Sequence, residues 1–232
     1  MNIDLTHEGT MLSVLACEPA TGALGIALAS SSIAIGSRCP HIDTERAALT
    51  SQGFTNLKVG PLALDLIRCG LTSAEVLEAL RQHDRWLEYR QIGIIRVDGL
   101  VAAYTGSMTR GRAGHHIGEN FLSLGNGLPE EGAPLELAAA AYAEAADQPI
   151  AERLLLALEA VKASLGDSFP IVSGSLLVRA PRAESQIDLR VDMPTQPVTE
   201  GGNGLADLRR LYTAYLPLVD IYATRSVAPQ PF

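Results

Sequence analysis

The chain is short of the residues that mark several protein classes. Its three cysteines, Cys17, Cys39 and Cys69, show no Cys-x-x-Cys spacing, which excludes a disulfide framework or zinc finger and points to a reducing compartment. Aromatic residues make up 5% and charged residues 19%, and 18 Lys and Arg stand against 26 Asp and Glu, a net charge of -8. The basic footprint that nucleic acid or anionic lipid requires is missing. The one long uncharged stretch, 19–37, is broken by Gly22, Gly25, Gly36 and Ser30-Ser31-Ser32, too polar for a membrane span. The first ten residues have neither the basic region nor the apolar core of a secretory signal, so a cytoplasmic protein is expected. Walker A, GxSxG, HExxH and dinucleotide-binding patterns are absent too, which removes the commonest nucleotide, serine-hydrolase and zinc-protease readings. No ligand cluster implies a metal or an organic cofactor.

What is present is apolar: 47% of 232 residues, enough for one sizeable core. Met11 to Cys17 and Ala23 to Ala29 flank the turn residues Glu18-Pro19-Ala20-Thr21-Gly22, which predicts a buried hairpin. A third strand is expected over Ala47 to Gln52. From Pro61 the period changes to helical, with a stop at Gly70. Thr72-Ser73-Ala74-Glu75 has the form of a capping box opening a second helix. Strands return over Tyr89 to Arg96 and Leu100 to Tyr104 around Asp98-Gly99, and again near Phe121 to Leu124. Leu135 to Ala146 and Ile150 to Leu165 read as a second helical hairpin ended by Gly166. Two last strands, Gly174 to Arg179 and Ile187 to Val191, precede a helix from Leu205 to about Leu216. Strand pairs that alternate with helix pairs predict an α+β fold, a four-layer αββα sandwich of two mainly antiparallel sheets covered by helical hairpins.

The chemistry-bearing signals are subtle. Gly9-Thr10 stands at the head of the first buried strand. Its hydroxyl becomes a nucleophile if the chain is cut before it, because the freed α-amine, with a pKa of roughly 7.7 to 8.0, serves as base near neutral pH. The bland alternative is a threonine that begins a strand. Gln52, Thr55, Asn56, Lys58 and Gly60 form a polar set after the third strand, where Gln52 and Asn56 amides suit an oxyanion or a substrate amide, or simply a solvated loop. Ser30 with Ser31 and Ser32 either serves a nucleophile or satisfies backbone groups. Gly111 to His116 reads as a tight loop bearing imidazoles, with His115 a candidate acid or base. Asn126, between Gly125 and Gly127, reads as a turn residue. Glu75, Glu78, Glu152 and Glu159 read as solvated helix faces. Cys17 reads as a buried inert thiol and Cys39, beside Arg38, as the more reactive one. The apolar residues Leu216, Val219 and Ile221 either close the core or meet another subunit.

Taken in order, several segments resemble a bacterial family called domain of unknown function 1028, placed with the N-terminal-nucleophile (Ntn) hydrolase superfamily. They are Thr10-Met11-Leu12-Ser13-Val14, Pro19 to Ser30, Gln52 with Asn56 and Gly60, Arg90-Gln91-Ile92-Gly93, Ala102-Ala103-Tyr104-Thr105-Gly106, Ala113-Gly114-His115, Gly125-Asn126 and Leu189-Arg190-Val191-Asp192. The resemblance implies the same sandwich and a superfamily that cleaves amide bonds with a terminal Thr, Ser or Cys, here Thr10. The chain departs from the family at Ser168 to Val172, where relatives tend to be rich in Arg, and at Arg112, where an aromatic residue is common.

On this basis 1–9 is expected to be a removable segment, 10–225 one Ntn-hydrolase-like domain and 226–232 an irregular tail. The expected function is hydrolysis of a small amide, with Thr10 and His115 catalytic and Ser30, Gln52, Asn56 and Asn126 contacting substrate. Expected partners are a small-molecule substrate and a second copy in a homo-oligomer, with neither nucleic acid nor membrane. The alternatives are a non-catalytic ligand-binding or assembly protein on the same fold, and an uncut hydrolase in which His115 acts with a Ser or Thr. An amide nitrogen is not basic, so Thr10 has its own base only after cleavage.

Overall fold

A computed structural model describes residues 9–129, 133–181 and 186–229. The first strand, β1 (Met11–Glu18), is central. It pairs antiparallel with β2 (Ala23–Ser30) on one side and β8 (Phe121–Leu128) on the other. The sheet continues through β9 (Ser173–Arg179) and β10 (Ile187–Val191) beyond β2, and β7 (Arg112–Gly118) beyond β8, six strands in the order β10-β9-β2-β1-β8-β7. A second sheet holds β3 (Pro40–Asp43), β4 (Ala47–Gly53), β5 (Arg90–Arg96) and β6 (Val101–Thr105) in chain order. All strand pairs among the described residues are antiparallel.

The layers follow from strand alternation, because successive side chains point to opposite faces. In β1, Met11, Leu15 and Cys17 face the second sheet and pack with Leu122, Leu124 and Ile95, while Leu12, Val14 and Ala16 face outward. The outward set is covered by α3 (Pro134–Glu144), α4 (Ile150–Leu165) and α5 (Gly204–Tyr215). On the far side, α1 (Val59–Arg68) and α2 (Ser73–His83) cover Leu49, Ile92 and Ile94. The fold is thus the expected four-layer αββα sandwich.

Local signals act where the sequence places them. Glu75 N donates to Thr72 Oγ1 and Thr72 N donates to Glu75 Oε2, closing the capping box of α2, a device worth about 1 kcal/mol. Gly166 ends α4 with φ 52°.

Several expectations are corrected. β3 lies where no strand is expected. Residues 112–118 are the edge strand β7 rather than a tight loop, and Asn126 is a buried member of β8 rather than a turn residue. A further helix, α6 (Val219–Val227), follows α5 and runs past position 225, where the tail is expected to begin. Residues 230–232, like 1–8, lie outside the described residues. Glu152 and Glu159 are not a solvated face: both accept from Arg209 of α5, at 2.7 to 2.8 Å, and these bonds raise the guanidinium pKa. Cys39 is buried and burial pushes its thiol pKa up, so it lacks the expected thiolate character. Cys17 is buried with its pKa raised to about 11, and Cys69 is exposed. No helix among the described residues is long and apolar enough to cross a membrane.

The sheets approach closely at Gly93 of β5, where a Cβ would lie 2.6 Å from Leu124 Cδ1 and 2.7 Å from Leu122 Cδ2. Gly93→Val is therefore expected to destabilise the fold by about 1–3 kcal/mol through overpacking, read as a lower urea midpoint at unchanged m value. An unchanged midpoint would mean that the layers tolerate a wider gap there.

Candidate functional site

Antiparallel order brings one set of strand ends together. The head of β1, the ends of β2, β4, β6 and β8, and the starts of β5 and β7 all lie at one rim of the sandwich. Thr10, Ser30, Gln52, His115 and Asn126, five of the six residues singled out in the sequence, collect there. Gln91 and Thr105 join them.

Thr10 is buried at the head of β1, with every polar group held. Its amide donates to Ser31 Oγ at 2.9 Å and its hydroxyl donates to the Gly127 carbonyl at 2.9 Å. Ser30 Oγ and Ser31 N each donate to the Thr10 carbonyl at 3.0 Å. Gly127 has φ 60°, and a Cβ there would lie 2.8 Å from the Gly9 carbonyl oxygen and 3.2 Å from Thr10 Cα. Only glycine meets both the left-handed backbone and that approach without strain.

A second group of polar side chains joins the two sheets. Gln91 of β5, fully buried, lies at its centre. Its Oε1 accepts from Gln52 Nε2 at 3.0 Å and from Asn126 Nδ2 at 2.9 Å. Its Nε2 donates to the Gly125 carbonyl at 2.8 Å, the Gly114 carbonyl at 3.0 Å and Thr105 Oγ1 at 3.1 Å. Ser13 Oγ, on β1, donates to Gln52 Oε1. Thr105 Oγ1 also lies 2.9 Å from His115 Nδ1, a hydrogen bond in which either atom donates according to the tautomer of the ring. Partial desolvation holds the His115 imidazole pKa below its ordinary 6.5, although the residue is exposed.

The two groups touch through the backbone: Asn126 pairs with Met11 in register, and Gly127 follows it. No side-chain hydrogen bond links Thr10 with Gln52, Asn126 or His115 among the described residues. Asn56 belongs to another cluster, donating to Asp84 Oδ2 at 3.2 Å, which in turn holds Arg90 Nε at 2.6 Å. Ser30 bonds backbone groups only, accepting from Ser32 N besides donating to Thr10. Gln91 was the residue the chemistry-based reading passed over. Its signal was a carboxamide inside the apolar run that continues through Ile92, Ile94 and Ile95, where a buried polar group must find partners.

Among the described residues, two of the surface clefts lie away from Thr10, which lines neither. The larger, about 390 Å³, lies at the opposite end of β1 among Cys17, Glu18, Asn120, Tyr142 and Arg153. The smaller, about 110 Å³, lies between Leu71 and Leu100. Among the described residues no group of three or more potential metal ligands occurs.

A family model described as "Family of unknown function (DUF1028)" matches residues 11–201. The chain is similar to the crystal structure of protein SPO2555 from Silicibacter pomeroyi, itself described by that family, at 27% identity over 89% of this chain and 86% of that one, with a TM-score of 0.79. Looser likenesses reach Anbu (ancestral beta-subunit) from Yersinia bercovieri, at 12% identity over 92% and 96% of the two chains with a TM-score of 0.42, and Anbu from Hyphomicrobium sp. strain MC1, at 12% over 96% and 99% with 0.37. Nothing further is drawn from these two. No curated protein matches the chain.

Gln91→Leu keeps the volume but leaves the Gln52 and Asn126 amides without their acceptor, so a loss of about 1–3 kcal/mol or more is expected in denaturant unfolding. A neutral effect would show that water replaces the amide. For His115, NMR titration of the folded protein is expected to give a midpoint below 6.5. As pH falls the unfolded chain takes up this proton first, so the stabilisation is complete above about 6.5 and is lost as pH falls through the folded-state midpoint. A midpoint at or above 6.5 would contradict the partial desolvation of the ring.

Proposed function

The chain belongs to the DUF1028 family, and from that premise we propose that it is an amide hydrolase of the N-terminal-nucleophile kind, with Thr10 as nucleophile. The observation that carries this is the placement of one threonine: its nitrogen and its hydroxyl are both fixed, at 2.9 Å each, at the head of the central strand. The proposal divides the chain as the sequence suggests, with 1–9 removable and the working domain beginning at Thr10.

In the uncut chain Thr10 Oγ1 attacks the Gly9 carbonyl carbon, and its proton passes to the Thr10 nitrogen as the C–N bond breaks. The acyl group passes to oxygen, and water hydrolyses the ester, releasing 1–9 and a free α-amine. That amine, beside Ser31 Oγ, then takes the hydroxyl proton as Oγ1 attacks a substrate amide. It returns the proton to the leaving nitrogen, and water releases the acyl group. Gln52 and Asn126, fixed by Gln91, hold the rim on which the strand head rests, and Ser30 holds the Thr10 carbonyl.

A second reading keeps the chain uncut, and the hydroxyl–imidazole pair favours it: Thr105 Oγ1 lies 2.9 Å from His115 Nδ1, within reach of a nucleophile and its base.

Intact mass separates the two, together with turnover on a panel of small amides. Wild-type protein is expected to lose 1–9 and hydrolyse a member of the panel, while Thr10→Ala keeps 1–9 and loses activity by at least about a hundredfold, as removal of a nucleophile does. Activity in chains that retain 1–9, abolished by His115→Ala, would replace Thr10 by the Thr105–His115 pair. A function unchanged in Thr10→Ala would leave a binding or assembly protein on the sandwich.

A further inference from the structure

We infer that the row of rings and guanidiniums beside Thr10 is a binding site for a carboxylate, so that the amide met there carries an acid group next to a flat or apolar part. The catalytic meaning rests on the proposed role of Thr10; the binding does not.

The row is built from three loops at the same rim, 53–59, 84–90 and 106–112. Phe54 stands edge-to-face on Tyr89 at 5.6 Å, and Trp86 on Tyr89 at 5.8 Å. Arg110 lies over Phe54 with Cζ 4.3 Å from the ring centre, and Arg85 over Trp86 at 5.1 Å. Phe54 and Trp86 are 40% and 51% exposed, so the rings form an open platform rather than core. Beneath it the platform is fixed: Arg90 donates to the Phe54 carbonyl and to Asp84. Burial alone would raise the Asp84 carboxyl pKa, and the bonds from Arg90, Trp86 N and Asn56 outweigh it and hold that carboxyl below its ordinary range. Asp84 is thereby committed to the support.

Arg110 is not committed in that way. Among the described residues no carboxylate lies within 4.0 Å of it, and a ring is its neighbour. A guanidinium that lies over a ring and meets no carboxylate keeps donors for a planar, bidentate acceptor. Its backbone fixes its place in the site: the Arg110 carbonyl accepts from Gly127 N at 2.8 Å, and Gly127 O accepts from the Thr10 hydroxyl at 2.9 Å. The charge agrees. Beside the Arg90–Asp84 pair the three loops carry Lys58, Arg85 and Arg110 against Glu88, in a chain of net charge -8. A local cationic face on an acidic protein draws anions to that place.

Trp86 is the only tryptophan, so its fluorescence reports on this platform. Titration calorimetry and Trp86 emission with hippurate, which joins a ring, an amide and a carboxylate, are expected to show saturable binding. Hippuramide, which lacks the charge, is expected to bind about tenfold or more weakly, as loss of a charge-assisted bond implies. Arg110→Ala should erase that preference with an unchanged melting temperature, and Arg110→Lys should keep part of it. Thr10→Ala should bind hippurate as wild type does, so a failure of the hydrolase reading leaves this inference standing. Conversely, turnover of neutral and acidic amides at equal kcat/KM overturns the inference and spares the hydrolase. Equal affinity for hippurate and hippuramide, no saturable binding of hippurate, or an unaltered preference in Arg110→Ala each overturn it. Tighter binding of phenyl phosphate than of hippurate would assign the row to phosphate esters instead and also overturn it.

Discussion

The carboxamide of Gln91 is where the two sheets are joined by hydrogen bonds rather than by hydrocarbon. Five partners surround it, from β4, β6, β7 and β8, in a place closed to solvent. Turning the amide over would set donors against donors and acceptors against acceptors, so only one orientation satisfies the set. Apolar contacts are non-directional and tolerate sliding of one layer over the other. The bonds to Gln91 do not, and a fully satisfied buried network of this kind defines a single arrangement. The position of β8 against the second sheet depends on that arrangement, while the ladder between β8 and β1 brings the Gly127 carbonyl to Thr10.

The space between the sheets therefore changes character along β1. Toward Cys17 it is filled by Leu15, Ile26, Ile95 and Leu122, and toward Met11 by Ser13, Thr50, Gln52, Gln91 and Asn126. A polar interior is expensive unless every group has a partner, and here most do. Cationic loops surround this same rim in a chain whose overall charge is negative. Polarity inside and positive charge outside thus converge on one end of the molecule, whereas the larger cleft opens at the other.

Much of the architecture was legible in the residues because two periods carry it. Alternation over 11–17 and 23–29, helical spacing over 150–165 and the Thr72–Glu75 box all reflect burial of one face or the satisfaction of a helix end. The elements that escaped lack such a face. β3 and β7 are edge strands: β3 opens on a proline, and β7 reads Arg-Ala-Gly-His-His-Ile-Gly, mixing small and polar residues with a bulge between Arg112 and Gly114. α6 buries no residue, so no apolar stripe marks it. Of the rim, Thr10, Gln52, Asn126 and His115 could be picked out by residue type. That Asn56 is tied to Asp84, and that Gln52 meets Asn126 through Gln91, are long-range facts that local pattern cannot contain. Glu152 and Glu159 show the same limit, since their partner Arg209 lies a whole sheet hairpin away in sequence.

The three cysteines divide along the same layers. Cys17 and Cys39 both pack between the sheets, while Cys69 stands exposed just past α1. A thiol reagent added to the native protein thus modifies Cys69 at once and Cys39, away from the larger cleft that Cys17 lines, only when the layers part. The slow phase of labelling at Cys39 clocks the parting of the sheets, with no substitution needed to install the reporter.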